Sequence, residues 1–429
     1  MTTIAIILAF AVSVVVTYLL IPQLIKISYR KRLFDKVDER KVHKVLVSRL
    51  GGIAFAPAII LGVSMALGFS LMASNHVLAG QFYENSFELA LFISSLLLIY
   101  FGGVTDDILD SSYKLKFIVQ FLGASCLAVA GISMNNFYGL FGFTEIPAWF
   151  GIPLSVTATV FVVNAMNLID GIDGLASGLG IIGFFFFGCL FYSTGEYLNA
   201  VLAFTSLGTV FTFFFFNVYG NVERRRKIFM GDCGSQTIGL LLAYFAISFS
   251  IDKSVGTTQI SAVGTKLVNG ALKDVLQSTP LVVAFSIIMV PVLDTFRVFG
   301  NRIRAHKNPF KPDRTHIHHR FMDLGLTQRA TLMVILMLAA FFVLINLLLL
   351  DVLDINILFC LDIALWTGMH VWISSLIEKR KQRRRLQSKP IAHYHRILII
   401  EGNERGFPVT RDDEVHRFLI FTFLHFKTK

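Results

Sequence analysis

The sequence predicts an all-α polytopic membrane protein with about eleven transmembrane helices, and three observations carry that prediction. Hydrophobic residues make up 55% of the 429 positions and charged residues only 16%, whereas about a quarter of a soluble domain is charged. Apolar stretches of about 20 residues, the length a helix needs to cross the hydrocarbon core, recur along most of the chain. Charged residues alternate with those stretches, so one side of the membrane holds nearly all of them.

The stretches run approximately 4–25, 52–72, 87–104, 117–132, 149–166, 175–191, 198–218, 237–251, 280–299, 331–350 and 355–377. The first has no basic residue ahead of its apolar run and leads into a basic loop rather than a cleavage site, so it reads as an anchor and not a signal peptide. That loop carries Lys26, Arg30, Lys31, Arg32, Lys36, Arg40, Lys41, Lys44 and Arg49, and further basic loops, 224–227 and 302–320, follow the seventh and ninth stretches. The positive-inside rule makes these loops cytoplasmic. The intervening stretches 73–86 and 133–148 contain no Lys or Arg, and 252–279 has only Lys253, Lys266 and Lys273, so these face outward. Eleven crossings then place the N-terminus in the periplasm and the C-terminus in the cytoplasm.

The net charge of +11 follows this loop pattern, which argues against nucleic acid as a partner. Cys126, Cys189, Cys233 and Cys360 make no close pair, so neither a disulfide framework nor a CxxC metal site is indicated. The expected organisation is one membrane-embedded domain, 1–377, and a basic cytoplasmic tail, 378–429, which reads as a solvated run near anionic headgroups.

Polar residues that are rare near a bilayer cluster at four places, each at the end of an odd-numbered helix or in the loop after it, and hence all on one face. The first is Asp106-Asp107-Ile-Leu-Asp110, followed by Lys114 and Lys116. Adjacent carboxylates repel unless a cation lies between them, and Mg2+, bound by one or two carboxylates plus substrate phosphates, suits them. A helix cap is the plain structural alternative. The second is Asn164-Ala-Met-Asn167-Leu-Ile-Asp170-Gly-Ile-Asp173-Gly, with Asn and Asp at three-residue steps on one helical face and glycines that let the backbone approach a ligand. Read alone, it serves equally well as a capped turn.

The third is Phe229-Met-Gly231-Asp232-Cys-Gly234-Ser235, just before the eighth stretch, with Asn217 at the end of the seventh. Asp232 is placed either to cap that helix or to hold a metal against a phosphate at its N-terminus. The fourth is the loop from Arg302 to Arg320, whose dense cations and prolines suit anion binding, with Arg forks as phosphate clamps. Its His316, His318 and His319 fit hydrogen bonding to phosphate or sugar oxygens better than zinc, since no thiolate accompanies them.

Together these segments resemble the polyprenyl-phosphate N-acetylhexosamine-1-phosphate transferases, a family that includes the phospho-MurNAc-pentapeptide transferases. The resemblance covers roughly residues 21–377. It lies in Asp38 to His43, Arg49 to Gly52, Asp106-Asp107, Lys116 to Gln120, Asn164 to Gly174, Phe229 to Ser235 and Asn308 to His319, in the family's order. The His-Ile-His-His ending is similar to the branch that uses UDP-N-acetylglucosamine or related UDP-sugars. Ser48, where the family often has proline, and the long 252–279 stretch are departures.

The resemblance implies a Mg2+ cofactor, with Mn2+ as a substitute, at Asp107 and Asp232, and catalytic roles for Asp106 and Asp107, with Asp106 taking a proton from the lipid phosphate. It implies that Phe229 stacks on uracil, with Asp173 and Lys44 hydrogen-bonding it. Asn167, Asp170 and Asn217 then contact the donor, and Lys116, Arg302, His316, His318 and His319 hold its diphosphate and sugar. The implied partners are a UDP-N-acetylhexosamine donor and undecaprenyl phosphate as acceptor, at the cytoplasmic face of a bacterial inner membrane; a homodimer is compatible with the sequence. Two rivals remain. A prenyltransferase also uses DDxxD but needs a second aspartate-rich motif, and a transporter places its charges near mid-membrane rather than at one face.

Overall fold

The structure, a computed structural model, describes residues 1–31, 33, 47–109, 111–252, 279–308 and 314–404, with side chains described as far as 383. Lys44, Asp110 and the 36–43 and 309–313 segments named above lie outside the described residues, as does most of the 252–279 stretch.

Thirteen α-helices appear among the described residues. They are α1 (Thr2–Lys31), α2 (Phe55–Met72), α3 (His76–Glu84), α4 (Ser86–Leu109), α5 (Tyr113–Val129), α6 (Ala148–Ile169), α7 (Leu175–Thr194), α8 (Tyr197–Val218) and α9 (Gly231–Ser250), then α10 (Pro280–Arg304), α11 (Ile317–Asp323), α12 (Gln328–Leu349) and α13 (Ile355–Glu404). A 3-10 turn, Leu50–Ala54, leads into α2. Among the described residues, ten helical segments are long and apolar enough to cross a membrane. The fourth predicted crossing is α5, whose 17 residues span about 25 Å at ~1.5 Å per residue, the short end of what crosses a bilayer. It stops at Val129 because the chain turns through Gly131 at φ +91°.

Two of the stretches expected to face outward hold structure that the apolar pattern does not announce. The 73–86 stretch contains α3, whose N-terminus is capped by the Asn75 side chain accepting from Leu78 N. The 133–148 stretch forms an antiparallel ribbon, β1 (Asn136–Leu140) and β2 (Phe143–Glu145), joined by the two-residue turn Phe141-Gly142 with both φ positive. This is the turn geometry that matches strand twist.

The most deeply buried crossing is α9, whose membrane window is fully buried, against α4, α6, α7, α10 and the 3-10 turn. Several polar groups inside the bundle pair with one another, which lowers their cost in a low-dielectric interior. Tyr244 donates to Glu88 at 2.7 Å and shares a 2.8 Å hydrogen bond with Asn199, and Asn346 donates to Asp362 at 2.9 Å. Contacts group the chain into Met1–Trp366 and Thr367–Lys429.

Candidate active site

The site forms around the N-terminus of α9, and local backbone pairing explains why that terminus sits where it does. Residues 228–230 run beside 48–52: Phe229 N donates to Ser48 O at 2.7 Å, Gly51 N to Phe229 O at 3.0 Å and Gly52 N to Met230 O at 2.8 Å. Gly231 then turns at φ +73°, and a Cβ there would lie 2.6 and 2.7 Å from the Asp107 carboxylate oxygens. The Arg49-Leu-Gly-Gly52 segment therefore acts here as a seat for the start of α9.

Apolar periodicity places the eighth crossing's start at 237, but the helix begins at Gly231, so Asp232 lies in its first turn. The cap comes from another helix. Asp107, near the end of α4, accepts from Asp232 N at 2.7 Å and from Cys233 N at 3.0 Å, engaging both carboxylate oxygens on α9's first amides. A carboxylate there also complements the positive end of the helix dipole. Asp106, its neighbour, faces a different partner. Lys116 of α5 donates to Asp106 Oδ2 and to Asp232 Oδ2, each at 3.1 Å, and so bridges the two acids. Asn167 of α6 donates to the other Asp232 oxygen and to Ser235 Oγ.

A cation already stabilises the point where Asp106 and Asp232 meet, and the oxygens there are hard donors of the kind Mg2+ prefers. Among the described residues, no group of three or more His, Cys, Asp or Glu side chains forms a ready-made metal cage. An ion held by one or two carboxylates and completed by phosphate and water needs none, so the residues present fit Mg2+.

Asp170 and Asp173 occupy the turn between α6 and α7. Burial, then the Asp232, Asp173 and Asp107 carboxylates, push the Asp170 carboxyl up to about 7. Asp173 pairs with Lys227, whose ammonium also lies 5.8 Å from the centre of the Phe229 ring. Asn217, expected to contact a donor, has its amide engaged within the protein: Oδ1 accepts from Gly174 N at 2.6 Å, and Nδ2 donates to Ile228 O at 2.9 Å. It braces the Asp170–Gly174 turn against the segment that enters α9.

The fourth segment is more helical than its prolines and cations suggest. Arg302 and Arg304 belong to the last turn of α10, where Arg302 is buried with its guanidinium 5.9 Å from the Phe299 ring. His316 precedes α11, and His318 and His319 lie within it. His318 is buried against Gly171, where any Cβ would collide with the imidazole, so the histidine segment meets the α6–α7 turn there. Burial, reinforced by His319 and His316, holds the His318 pKa down at about 3. The His318 and His319 rings are 4.2 Å apart.

Two residues that organise this segment escape the sequence reading. Asp294, buried in α10, accepts from His316 Nδ1 at 2.8 Å and from Ile317 N at 3.1 Å, and Arg297 donates to it at 2.6 Å and to Thr315 O at 2.7 Å. The available signal was a carboxylate inside an apolar crossing, which is costly without a partner. Beneath the acids, Gln120, Asn164 and Gln236 form an amide chain linking α5, α6 and α9: Asn164 donates to Gln120 at 2.6 Å and Gln120 to Gln236 at 3.1 Å.

The fold and the site define a polytopic membrane protein that gathers carboxylates, one bridging lysine and a histidine segment at the ends of α4, α6 and α10 and the starts of α5 and α9. Residues 89–250 match the model of glycosyl transferase family 4. The chain is 31% identical over 319 residues to the undecaprenyl-phosphate alpha-N-acetylglucosaminyl 1-phosphate transferase of Yersinia pestis, covering 73% of this chain and 76% of that protein. It is 30% identical over 341 residues to a probable undecaprenyl-phosphate N-acetylglucosaminyl 1-phosphate transferase of Bacillus subtilis, covering 79% and 83%. Against the Escherichia coli K12 transferase it is 28% identical over 317 residues, covering 73% and 76%. The chain belongs to this family of undecaprenyl-phosphate N-acetylglucosaminyl 1-phosphate transferases.

Proposed function

We propose that the protein transfers N-acetylglucosamine-1-phosphate from UDP-N-acetylglucosamine to undecaprenyl phosphate, forming the first lipid-linked intermediate of a cell-envelope polysaccharide. A lipid phosphate oxygen attacks the sugar-bearing phosphorus, the bond to the bridging oxygen breaks, and UMP leaves. The observation that carries this reading is the convergence of Asp106 and Asp232 on Lys116 at 3.1 Å, in a chain of this family. Charge must be neutralised around the transferred phosphorus, and fixed cations do most of that work in phosphoryl transfer.

Asp232 and the Asp106/Asp107 pair would hold Mg2+, or Mn2+ as a substitute, which would supply neutralising charge for the diphosphate. Asp107 holds the α9 terminus while both its oxygens keep a free lone pair. Asp106 takes the proton from the lipid phosphate, and Lys116 offsets charge on the transferred group. Phe229, flanked by the Asp173–Lys227 pair, receives the uracil, and His318 and His319 face the diphosphate and sugar. The basic loops support a site at the cytoplasmic face of a bacterial inner membrane. There the acceptor's tail stays in lipid while its phosphate meets a soluble donor.

The test is UMP release and lipid-linked sugar formation from purified protein given Mg2+, undecaprenyl phosphate and a panel of UDP-N-acetylhexosamines. Turnover is expected to be fastest with UDP-N-acetylglucosamine, and Asp232→Asn is expected to abolish it at every Mg2+ concentration. Absence of UMP with every donor sinks the reading.

A further inference from the structure

A second site lies on a different part of the bundle. A groove of about 550 Å3 runs between α1 and α8, walled by Val14 and Tyr18 of α1 and by Phe211 and Phe215 of α8, and it ends at Arg224 and Arg226. None of its lining comes from α4, α5 or α9, which carry Asp106, Lys116 and Asp232. We propose that this groove seats one anionic phospholipid, with an acyl chain along its aromatic wall and its phosphate between Arg224 and Arg226.

Two kinds of observation converge on that occupant. The wall is apolar along its length, because the Thr212 hydroxyl is turned back onto Gly208 O at 2.9 Å. At the ~30 Å3 that a water-sized group occupies in a liquid, the volume holds roughly 18 heavy atoms, about one acyl chain. The mouth is cationic. Arg224 and Arg226 are exposed in the loop after α8, and Arg30 and Lys31 form the last turn of α1. Glu223, also exposed, is the acid of that loop and leaves it with an excess of positive charge. A basic pocket between membrane helices at the headgroup level is the recognised setting for an anionic lipid head.

The loop is shaped before a lipid arrives. Asn221 Oδ1 accepts from Arg224 N at 2.9 Å, and Asn221 O accepts from Arg226 N at 2.9 Å, which fixes both backbones. Arg225, between them at φ +51°, turns away to lie 4.7 Å over the Tyr29 ring of α1. Arg225 therefore ties the loop to α1 and leaves Arg224 and Arg226 on the groove. Tyr18 and Phe216 close the wall across the two helices with ring centres 5.9 Å apart.

Native mass spectrometry tests the site on full-length protein released from nanodiscs of equimolar phosphatidylglycerol and phosphatidylethanolamine. The wild type is expected to retain one phosphatidylglycerol with a preference of roughly ten-fold or more over the neutral lipid, from two cations acting at the surface. Arg224→Gln with Arg226→Gln is expected to bring that preference to within about two-fold, and Val14→Trp, which fills the chain seat and keeps both arginines, is expected to release the lipid altogether. Both variants are compared with the wild type by melting temperature, so misfolding is recognised. The proposal is overturned by an unchanged preference in the double glutamine variant, by equal retention of the neutral lipid in the wild type, or by undecaprenyl phosphate displacing phosphatidylglycerol at equal amounts.

Discussion

Asp107→Asn separates two roles that one carboxylate can play. The sequence suggests Asp107 as a metal ligand, whereas in the fold its two oxygens accept from Asp232 N at 2.7 Å and Cys233 N at 3.0 Å. Asparagine keeps one acceptor and turns an amide N–H2 toward the second backbone donor, so one hydrogen bond to a charged group is replaced by two donors facing each other. A hydrogen bond to a charged group contributes about 1.5–3 kcal/mol, and a buried donor left unmatched costs about 1–3 kcal/mol more. Loss of the negative charge beside the helix terminus adds roughly 0.3–1 kcal/mol. Allowing for relaxation at a half-buried position, the expected loss is about 2–4 kcal/mol. The assay is thermal unfolding of purified protein in detergent with EDTA, comparing wild type, Asp107→Asn and Asp107→Glu. The cap predicts a clear drop in melting temperature for Asp107→Asn without any divalent ion. A melting temperature equal to the wild type's in EDTA, together with a raised Mg2+ requirement for turnover, would refute the capping argument and leave Asp107 as a ligand alone.

Three further outcomes follow from the same geometry. Gly171→Ala forces the His318 ring away from the α6–α7 turn, so turnover should fall ten-fold or more with the protein still monodisperse; wild-type kinetics would mean His318 has room to move. Asp294→Asn leaves Arg297 and the His316 and Ile317 donors around a neutral group, and breaking such a buried pair costs about 3–5 kcal/mol. A drop in melting temperature and a raised KM for the UDP-sugar are expected, and neither appears if the contact is incidental. His318 has its pKa at about 3 in the folded protein but an ordinary imidazole in the unfolded chain. The unfolded state thus binds more protons as pH drops below about 6.5, and stability should decline from there toward about pH 3. A pH series of melting temperatures for wild type and His318→Gln checks this: the variant's curve should be flatter, and parallel curves would remove His318 as the cause.

The membrane crossings were legible because the bilayer imposes one length and one composition on every spanning helix. The gathering of the acids was legible too, since helix parity alone puts Asp106, Asp170 and Asp232 on one face. Helix starts were less so. Gly231 to Gln236 are polar or small, so apolar periodicity cannot detect the first turn of α9, which exists because Asp107 supplies its cap from another helix. The β1–β2 ribbon is short, carries no alternating pattern and depends on a turn with two positive φ values. The family resemblance implies a donor contact at Asn217, and the sequence gives no sign that its amide also accepts from Gly174 N and donates to Ile228 O. Asp294 lay hidden inside an apolar run, and its partner His316 is 22 residues away.

Many of the polar residues in the site therefore hold backbone or one another, and that division bears on how the site works. Asp232 has its amide fixed by Asp107, one oxygen by Asn167 and the other by Lys116, so little of it is left to reorganise when charge develops nearby. Electrostatic stabilisation is most effective when the groups supplying it are already oriented. The cost of holding Asp106 and Asp232 close together is met before any substrate arrives, by Lys116 between them and by Gln120, Asn164 and Gln236 beneath. Removing the Lys116 charge should accordingly harm the arrangement of both acids at once, whereas a substitution at Asp173, which pairs with Lys227 beside Phe229, should disturb the Phe229 side of the site and leave Asp106 and Asp232 in place.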